Sequence, residues 1–161
     1  GVPNAYEGAK ALANGEVTRA HYARYLVQIG KVSNDGQAFK RYLGSGKSCF
    51  VKAEWVDIPT AIDTIHAAGG VAVIAHPMRY NMTGKWIRRL IVDFKQWGGD
   101  GMEVADSGQT KDQRQYLARL ANEYDLAASL GSDFHFPCGW IELGKNLFLP
   151  EEVKPIWTLF E

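Results

Sequence analysis

Cysteine and long apolar runs are both scarce in this chain of 161 residues, and each scarcity excludes a class of protein. The two cysteines, Cys49 and Cys138, lie far apart and lack C-x-x-C spacing, which excludes a disulfide framework. No apolar run approaches the roughly 18 residues needed to cross a bilayer, and the start lacks the basic-then-apolar layout of a signal peptide. We therefore expect a reduced, cytoplasmic protein with no membrane partner.

An excess of charge of either sign is also missing. Lys and Arg together number 18, Asp and Glu together number 18, and the formal net charge is +0. This balance argues against a polycationic nucleic-acid binder. It is compatible with an enzyme that holds phosphates locally with metals and a few arginines. With 46% apolar and 22% charged residues, the composition is that of a globular protein, either one domain or a domain with an appendage.

The first part of the chain carries helix signals and few strand signals. Three helices are predicted from their start and stop residues: 9–13 after the capping-box pair Asn4 and Glu7, 19–29 between Thr18 and Gly30, and 37–43 before Gly44. We therefore predict a small helical module over residues 1–46 and a second domain over residues 47–161.

The second part alternates between helix and strand. Helices are predicted over 58–68, 84–97 and 110–124, strands over 71–75, 101–105 and 126–130, and a closing helix near Pro150. Helix 84–97 is expected to present Trp86, Leu90, Phe94 and Trp97 on one face. Such alternation forms parallel, right-handed βαβ units. Because three parallel strands make a poor complete sheet, we predict an α/β fold with an incomplete barrel or sheet, finished by strands outside this chain.

Metal-type ligands follow two of the predicted strands. Asp133 and His135 come after strand 126–130, and His76 comes after strand 71–75. Side chains i and i+2 of an extended segment share a face, so Asp133 and His135 can reach one divalent cation or two neighbouring ones. The carboxyl ends of parallel strands meet at one rim, which brings His76 to the same place. The pattern indicates a metal-dependent hydrolase, while a capping aspartate and packing histidines remain the structural alternative.

Three further residues are candidate substrate contacts. Arg79 lies three residues after His76, where a guanidinium beside metals suits a terminal phosphate, and a solvated loop arginine is the alternative. Arg19 and His21 lie on a predicted helix, and they contact substrate only if that helix docks over the rim. Tyr80 is interpreted as a packing residue rather than a platform for a base.

Five segments together resemble one known family, and the resemblance covers essentially the whole chain. The segments are 18–24, 70–80, 100–105, 131–137 and 140–144. They look like the carboxyl half of PHP-domain (polymerase and histidinol phosphatase) phosphoesterases, most closely the branch of nucleoside 3′,5′-bisphosphate phosphatases and 5′-to-3′ exoribonucleases. The resemblance implies a distorted (β/α)7 barrel with a helical insertion, of which residues 1–46 form the end.

The same resemblance implies a cluster of divalent metals to which this chain contributes His76, Asp133 and His135. The remaining ligands belong to the first half of the family's sequence and are absent here. Manganese is the expected metal, with zinc or iron as alternatives. The implied substrate is a nucleotide or a short RNA, and the predicted protein partner is the missing amino-terminal half. The chain begins with glycine rather than methionine, so we expect a fragment, a processed product or an engineered chain.

Other acidic and histidine side chains are left outside the predicted site. His66 lies within a helix and is interpreted as structural or exposed. Glu103 lies inside the second strand and is expected in packing or in a contact behind the ligands. Asp106 ends that strand, but the family pattern demands no acid there, so it is not assigned to the site.

Two other interpretations of the function stay open. An amidohydrolase or deaminase on a related barrel also uses strand-end His and Asp, although Arg79 near His76 suits an anion better than a neutral amide. Alternatively, the chain is an inactive fragment or a metal-free binding module. Phosphatase activity on 3′,5′-bisphosphates distinguishes the phosphoesterase from the amidohydrolase or deaminase. Metal content distinguishes both enzymes from the inactive fragment or metal-free binding module.

Overall fold

The computed structural model of the chain describes residues 1–135 and 141–160. It forms two compact units, Gly1–Trp55 and a second unit that begins at Val56. Within the described residues, every helix is too short or too polar to cross a bilayer.

The first unit is helical. It contains α1 (Ala5–Lys10), α2 (Arg19–Gln28), α3 (Asp35–Ala38) and a π-helical turn that continues from α3 (Phe39–Leu43). Its core is built from five buried apolar residues: Ala23, Leu26, Val32, Ala38 and Leu43. The unit extends past residue 46 because the next segment folds back on the helices, with the Cys49 amide donating to the Tyr42 carbonyl at 3.0 Å.

The predicted capping box at Asn4 and the predicted helix start at Thr18 have different outcomes. Thr18 is the N-cap of α2, and its amide donates to His21 Nδ1 at 3.0 Å, so a histidine fills the place that Glu or Gln usually takes. The Asn4 prediction is wrong, because Asn4 has a left-handed backbone (φ 53°) and its side chain makes no capping hydrogen bond. Helix α1 accordingly begins at Ala5, before the predicted start at residue 9.

The second unit is a parallel sheet with helices. Its elements are α4 (Ile58–Ala67), β1 (Val73–Ile74), a 3-10 turn (Pro77–Arg79), α5 (Gly84–Gln96), β2 (Gly101–Asp106), α6 (Lys111–Glu123), β3 (Ala127–Gly131) and a second 3-10 turn (Ile156–Leu159). The strand order is β1-β2-β3, and both neighbouring pairs are parallel. The predicted α/β class and its three parallel strands are therefore confirmed.

Strand β1 is shorter than the predicted strand 71–75. The preceding backbone is bonded elsewhere: the Gly70 amide donates to the Ile65 carbonyl at 2.8 Å, and the Ala72 amide donates to the Asp100 carboxylate at 2.7 Å. The predicted strand pairing is therefore restricted to Val73–Ile74.

The closing helix predicted near Pro150 is wrong. The chain there runs beside β3 instead, with the Ala128 amide donating to the Lys154 carbonyl at 2.7 Å and Ala128 bridging to Pro155. Only the short turn Ile156–Leu159 follows.

Helix α5 buries a different face from the predicted one. Ile87, Ile91 and Phe94 are buried, whereas the Trp86 side chain is on the solvent side and the residue is 62% exposed. These buried apolar residues repeat at i, i+4 and i+7, which is the spacing that places them on one face of the helix. Of the predicted face, Phe94 is buried, Leu90 is partly buried and Trp97 is exposed.

Candidate functional site

Candidate site residues lie at the carboxyl ends of the strands. His76 follows β1, Asp106 is the last residue of β2, and Asp133 and His135 follow β3. Because both strand pairs are parallel, these ends lie along one edge of the sheet. The edge contains the three predicted ligands, His76, Asp133 and His135, and the acid Asp106 that the sequence analysis did not assign to the site.

His76 is held by contacts on three sides. Its amide donates to Glu103 Oε2 at 2.7 Å, and its ring meets the Tyr80 ring edge-on with 5.8 Å between the ring centroids. The Tyr80 hydroxyl donates to the Ala75 carbonyl at 2.8 Å, which fixes that ring as a packing element. His76 Nδ1 is buried and has no hydrogen-bond partner within residues 1–135 and 141–160. This nitrogen is a donor atom of the type that binds divalent metals.

Both His76 and Asp133 have an uncommon backbone conformation. His76 lies at φ 34° and ψ 55°, and Asp133 lies at φ 56°. The left-handed region costs an L-residue about 1–2 kcal/mol, and the proline that follows His76 disfavours helical conformations further. Strain of this kind clusters at binding and catalytic sites, where the surrounding contacts enforce it.

Arg79 links two carboxylates at this edge. Its Nη1 donates to Asp133 Oδ2, and its Nε lies 3.4 Å from Asp106 Oδ2. The Asp106 side chain is only 4% exposed, so this guanidinium neutralises a carboxylate that water barely reaches. In this arrangement Arg79 bridges one oxygen atom of each carboxylate.

The turn after β2 fixes Asp106. Its Oδ1 accepts from the Gly108 amide at 2.6 Å, and its own amide donates to Gln109 Oε1 at 3.1 Å. The buried Arg114 donates to the Asp106 carbonyl at 3.3 Å and to the Asn146 carbonyl at 2.9 Å. Sequence reasoning noted that Asp106 ends a strand, and this position was the available signal for including it.

Glu103 lies behind His76 on the central strand. Burial raises the pKa of its carboxyl, while the hydrogen bond from the His76 amide acts in the opposite direction. The nearby charges of Asp106 and Asp133 also raise this pKa, because like charges disfavour the ionised form. Glu103 thus contacts the backbone of His76, a predicted ligand.

The described arrangement supplies suitable donor atoms but not a complete metal site. His135 is close to Asp133, with its Nδ1 donating to the Asp133 carbonyl at 2.7 Å, and its side chain is 72% exposed. Imidazole nitrogens and carboxylate oxygens suit manganese, zinc or iron. Within residues 1–135 and 141–160, however, no three His, Cys, Asp or Glu side chains are arranged to hold one ion. His76, Asp133 and His135 thus do not form a closed three-ligand group by themselves.

Arg19 and His21 lie on α2 of the first unit. The Arg19 guanidinium lies 6.0 Å from the centre of the Phe39 ring, and it lines an apolar cavity of about 470 Å³ together with Tyr22 and Tyr25. His21 closes the capping box of α2 through Nδ1. Both residues therefore have structural partners within their own unit.

His66 and Cys49 lie outside the group of strand-end residues. His66 Nε2 donates to Asp100 Oδ2 at 2.7 Å, which supports its structural interpretation. Cys49 is a free, exposed thiol, and Cys138 lies outside the described residues.

No protein-family model matches the chain. Among curated proteins, it is 81% identical over 160 residues to a 5′-3′ exoribonuclease of Haemophilus influenzae and 51% identical over 161 residues to the 5′-3′ exoribonuclease Rnm of Escherichia coli. It is 39% identical over 164 residues to a 3′,5′-nucleoside bisphosphate phosphatase of Chromobacterium violaceum. These matches cover 99%, 99% and 100% of the chain but only 58%, 55% and 58% of the relatives. The chain thus spans little more than half their length.

Two solved structures resemble the fold. One is described as an amidohydrolase from Chromobacterium violaceum with bound sulfate and no metal; its TM-score is 0.82 at 39% identity, and the match covers 98% of this chain and 56% of that one. The other is described as a putative metal-dependent phosphoesterase from Bifidobacterium adolescentis, with a TM-score of 0.73 at 26% identity, covering 96% of this chain and 56% of that one. Both likenesses support the predicted α/β fold class.

Proposed function

We propose that this chain is the carboxyl part of a longer metal-dependent phosphoesterase of the PHP class, hereafter the full-length protein. The observation that carries the proposal is the strand-end cluster of His76, Arg79, Asp106 and Asp133, which combines metal-type donors with a guanidinium suited to phosphate. The relatives named exoribonuclease and bisphosphate phosphatase support the same chemistry.

The substrate we propose is an RNA 5′ end or a 3′-phosphorylated nucleotide. The 81% identity to an exoribonuclease, against 39% to a bisphosphate phosphatase, favours short RNA as the main substrate. Both substrates present a terminal phosphate ester, so one site can serve both.

In this proposal, His76, Asp133 and His135 are ligands of divalent cations, with manganese expected and with further ligands supplied from outside this chain. A bound divalent cation supplies hydroxide at neutral pH and neutralises charge on phosphoryl oxygens. Arg79 contacts the substrate phosphate, and Arg19 and His21 are proposed as further contacts from the helical unit. We also propose that the full-length protein has the distorted (β/α)7 barrel of this family and its helical insertion.

The decisive experiment compares hydrolysis by the full-length protein of two substrates, a short 5′-phosphorylated RNA and a nucleoside 3′,5′-bisphosphate. We expect both to be cleaved, and Asp133→Asn to lower kcat/KM about a hundredfold or more, because the substitution removes a carboxylate charge from the site. Asp112→Asn, a substitution on the exposed first turn of α6, is the matched control and should leave the rate unchanged. Full activity in Asp133→Asn would refute the assignment of this residue.

Amide hydrolysis is the second candidate, and the structural relative described as an amidohydrolase favours it. A panel of N-acyl amino acids tested beside the phosphate esters separates the two reactions. We expect hydrolysis of phosphate esters alone, because the guanidinium at the site matches an anion.

A further inference from the structure

We infer that Glu103 is a positioning residue that sets the backbone of His76 and thereby aims its imidazole into the site. The inference rests on the proposed function for the identity of the ligand that His76 binds. The hydrogen bond between Glu103 and the His76 backbone is itself independent of that function.

The first support is the conformation that the contact holds. His76 has a left-handed backbone and is followed by proline, a combination that an L-residue does not adopt without enforcement. Its amide donates a hydrogen bond to Glu103 Oε2 at 2.7 Å. A carboxylate is the strongest acceptor that a side chain offers to an amide, so the contact stabilises this conformation over an extended one.

The second support is the space made for Glu103 between the strands. Glu103 lies on central strand β2, its carboxylate reaches the end of β1, and its other oxygen faces Gly131 of β3. A Cβ at position 131 would lie 3.3 Å from Glu103 Oε1, which is tighter than an ordinary contact. Glycine at this position therefore leaves room for the carboxylate.

The third support is the state of the histidine ring. His76 Nδ1 is buried without a hydrogen-bond partner, and the ring is kept in place by the Tyr80 edge. No side chain among the described residues orients this ring through Nδ1. Control of its direction falls to the backbone, where Glu103 acts, and to the packing of Tyr80.

The test uses the full-length protein labelled with ¹⁵N-histidine and three variants. Glu103→Gln keeps an oxygen that can accept the hydrogen bond, and Glu103→Met removes the acceptor with a side chain of similar size. Gly131→Ala crowds the Glu103 carboxylate. Two quantities are measured: the chemical shift and hydrogen-exchange protection of the His76 amide without metal, and the Kd for Mn²⁺. Glu123→Met removes an exposed carboxylate of α6 and serves as the control.

We expect Glu103→Gln to retain the protected amide and to change the Kd for Mn²⁺ less than about threefold. Glu103→Met should lose the amide protection and weaken Mn²⁺ binding about 10–100-fold, the usual cost of removing a group that orients a ligand. Gly131→Ala should show the same loss in smaller degree, and it remains informative if the methionine variant unfolds.

An unchanged His76 amide in both Glu103→Met and Gly131→Ala would overturn the inference. Equal loss of Mn²⁺ binding in the Gln and Met variants, with the amide unmoved, would also overturn it, because Glu103 would then act through its own charge. Absence of Mn²⁺ binding by the unsubstituted protein would refute the proposed function, whereas the amide measurement would still judge the positioning role of Glu103.

Discussion

At the scale of single residues, the site is dominated by contacts that join the ends of different strands. Arg79 connects Asp106 with Asp133, and Glu103 connects β2 with the His76 backbone. None of these pairs is close in sequence. Residue types and strand-end positions predicted His76, Arg79 and Asp133 as candidate site residues. The side chains that each of them contacts depend on the register of the strands and on left-handed backbone turns, which no local sequence pattern specifies.

Arg79→Lys tests the phosphate contact. Lysine keeps the positive charge beside Asp106 and Asp133 but lacks the planar fork that binds a phosphate through two parallel hydrogen bonds. We expect kcat/KM for the bisphosphate to fall about tenfold in the full-length protein, a loss of roughly 1.4 kcal/mol in transition-state stabilisation. Arg88→Lys, at an exposed pair with Glu123, is the control, and unchanged kinetics in Arg79→Lys would leave Arg79 as a structural counter-ion.

His21→Gln separates the capping role of this histidine from a role with substrate. Glutamine is a usual partner of threonine in a capping box, so the thermal midpoint should stay within about 2 °C of the parent value. If His21 contacts substrate, steady-state kinetics should show a raised KM for short RNA. A parent-like KM with a parent-like melting curve would restrict His21 to the cap of α2.

At the scale of elements, helices were predicted more closely than their buried faces. Thr18 caps α2 next to its predicted start at residue 19, and the N-caps Asp57 and Thr110 lie within one residue of the predicted starts of α4 and α6, because capping is a local interaction between residues three apart. The buried face of α5 was missed, because the tryptophans and the isoleucines mark two neighbouring faces of the helix, and packing within the core of the second unit selects the isoleucine face. The length of strand β1 was overestimated. The apolar pattern assigned the Ala72 amide to the strand, but this amide donates instead to the Asp100 carboxylate, 28 positions away in sequence.

Ile91→Ala tests the observed face of α5. Ile91 is fully buried in the core of the second unit, so truncation should lower the free energy of unfolding by about 2–5 kcal/mol. Trp86→Ala removes a larger but exposed side chain and should cost far less. Urea denaturation of the two variants gives the comparison, and a larger loss for Trp86→Ala would favour the face predicted from sequence.

At the scale of the whole molecule, the proposal treats the chain as contributing one part of a longer protein's site. Donors of the expected type lie at one edge of a three-stranded sheet, yet the described residues contain no group of three that could hold an ion. The relatives are longer, and the chain covers 55–58% of their length. The alternation of helices and strands predicted the three parallel strands, whereas the Arg79 bridge between the carboxylates became visible only in the structure.

The most direct test of this account is metal content measured by inductively coupled plasma mass spectrometry on protein purified without chelator. The full-length protein, the 161-residue chain alone and the full-length His76→Ala/Asp133→Ala variant are compared. We predict stoichiometric manganese, zinc or iron in the full-length protein, a large loss in the variant, and no stoichiometric metal in the chain alone. Metal-free full-length protein, or metal retained fully by the variant, would contradict the claim that this edge of the sheet is part of a metal-dependent phosphoesterase site.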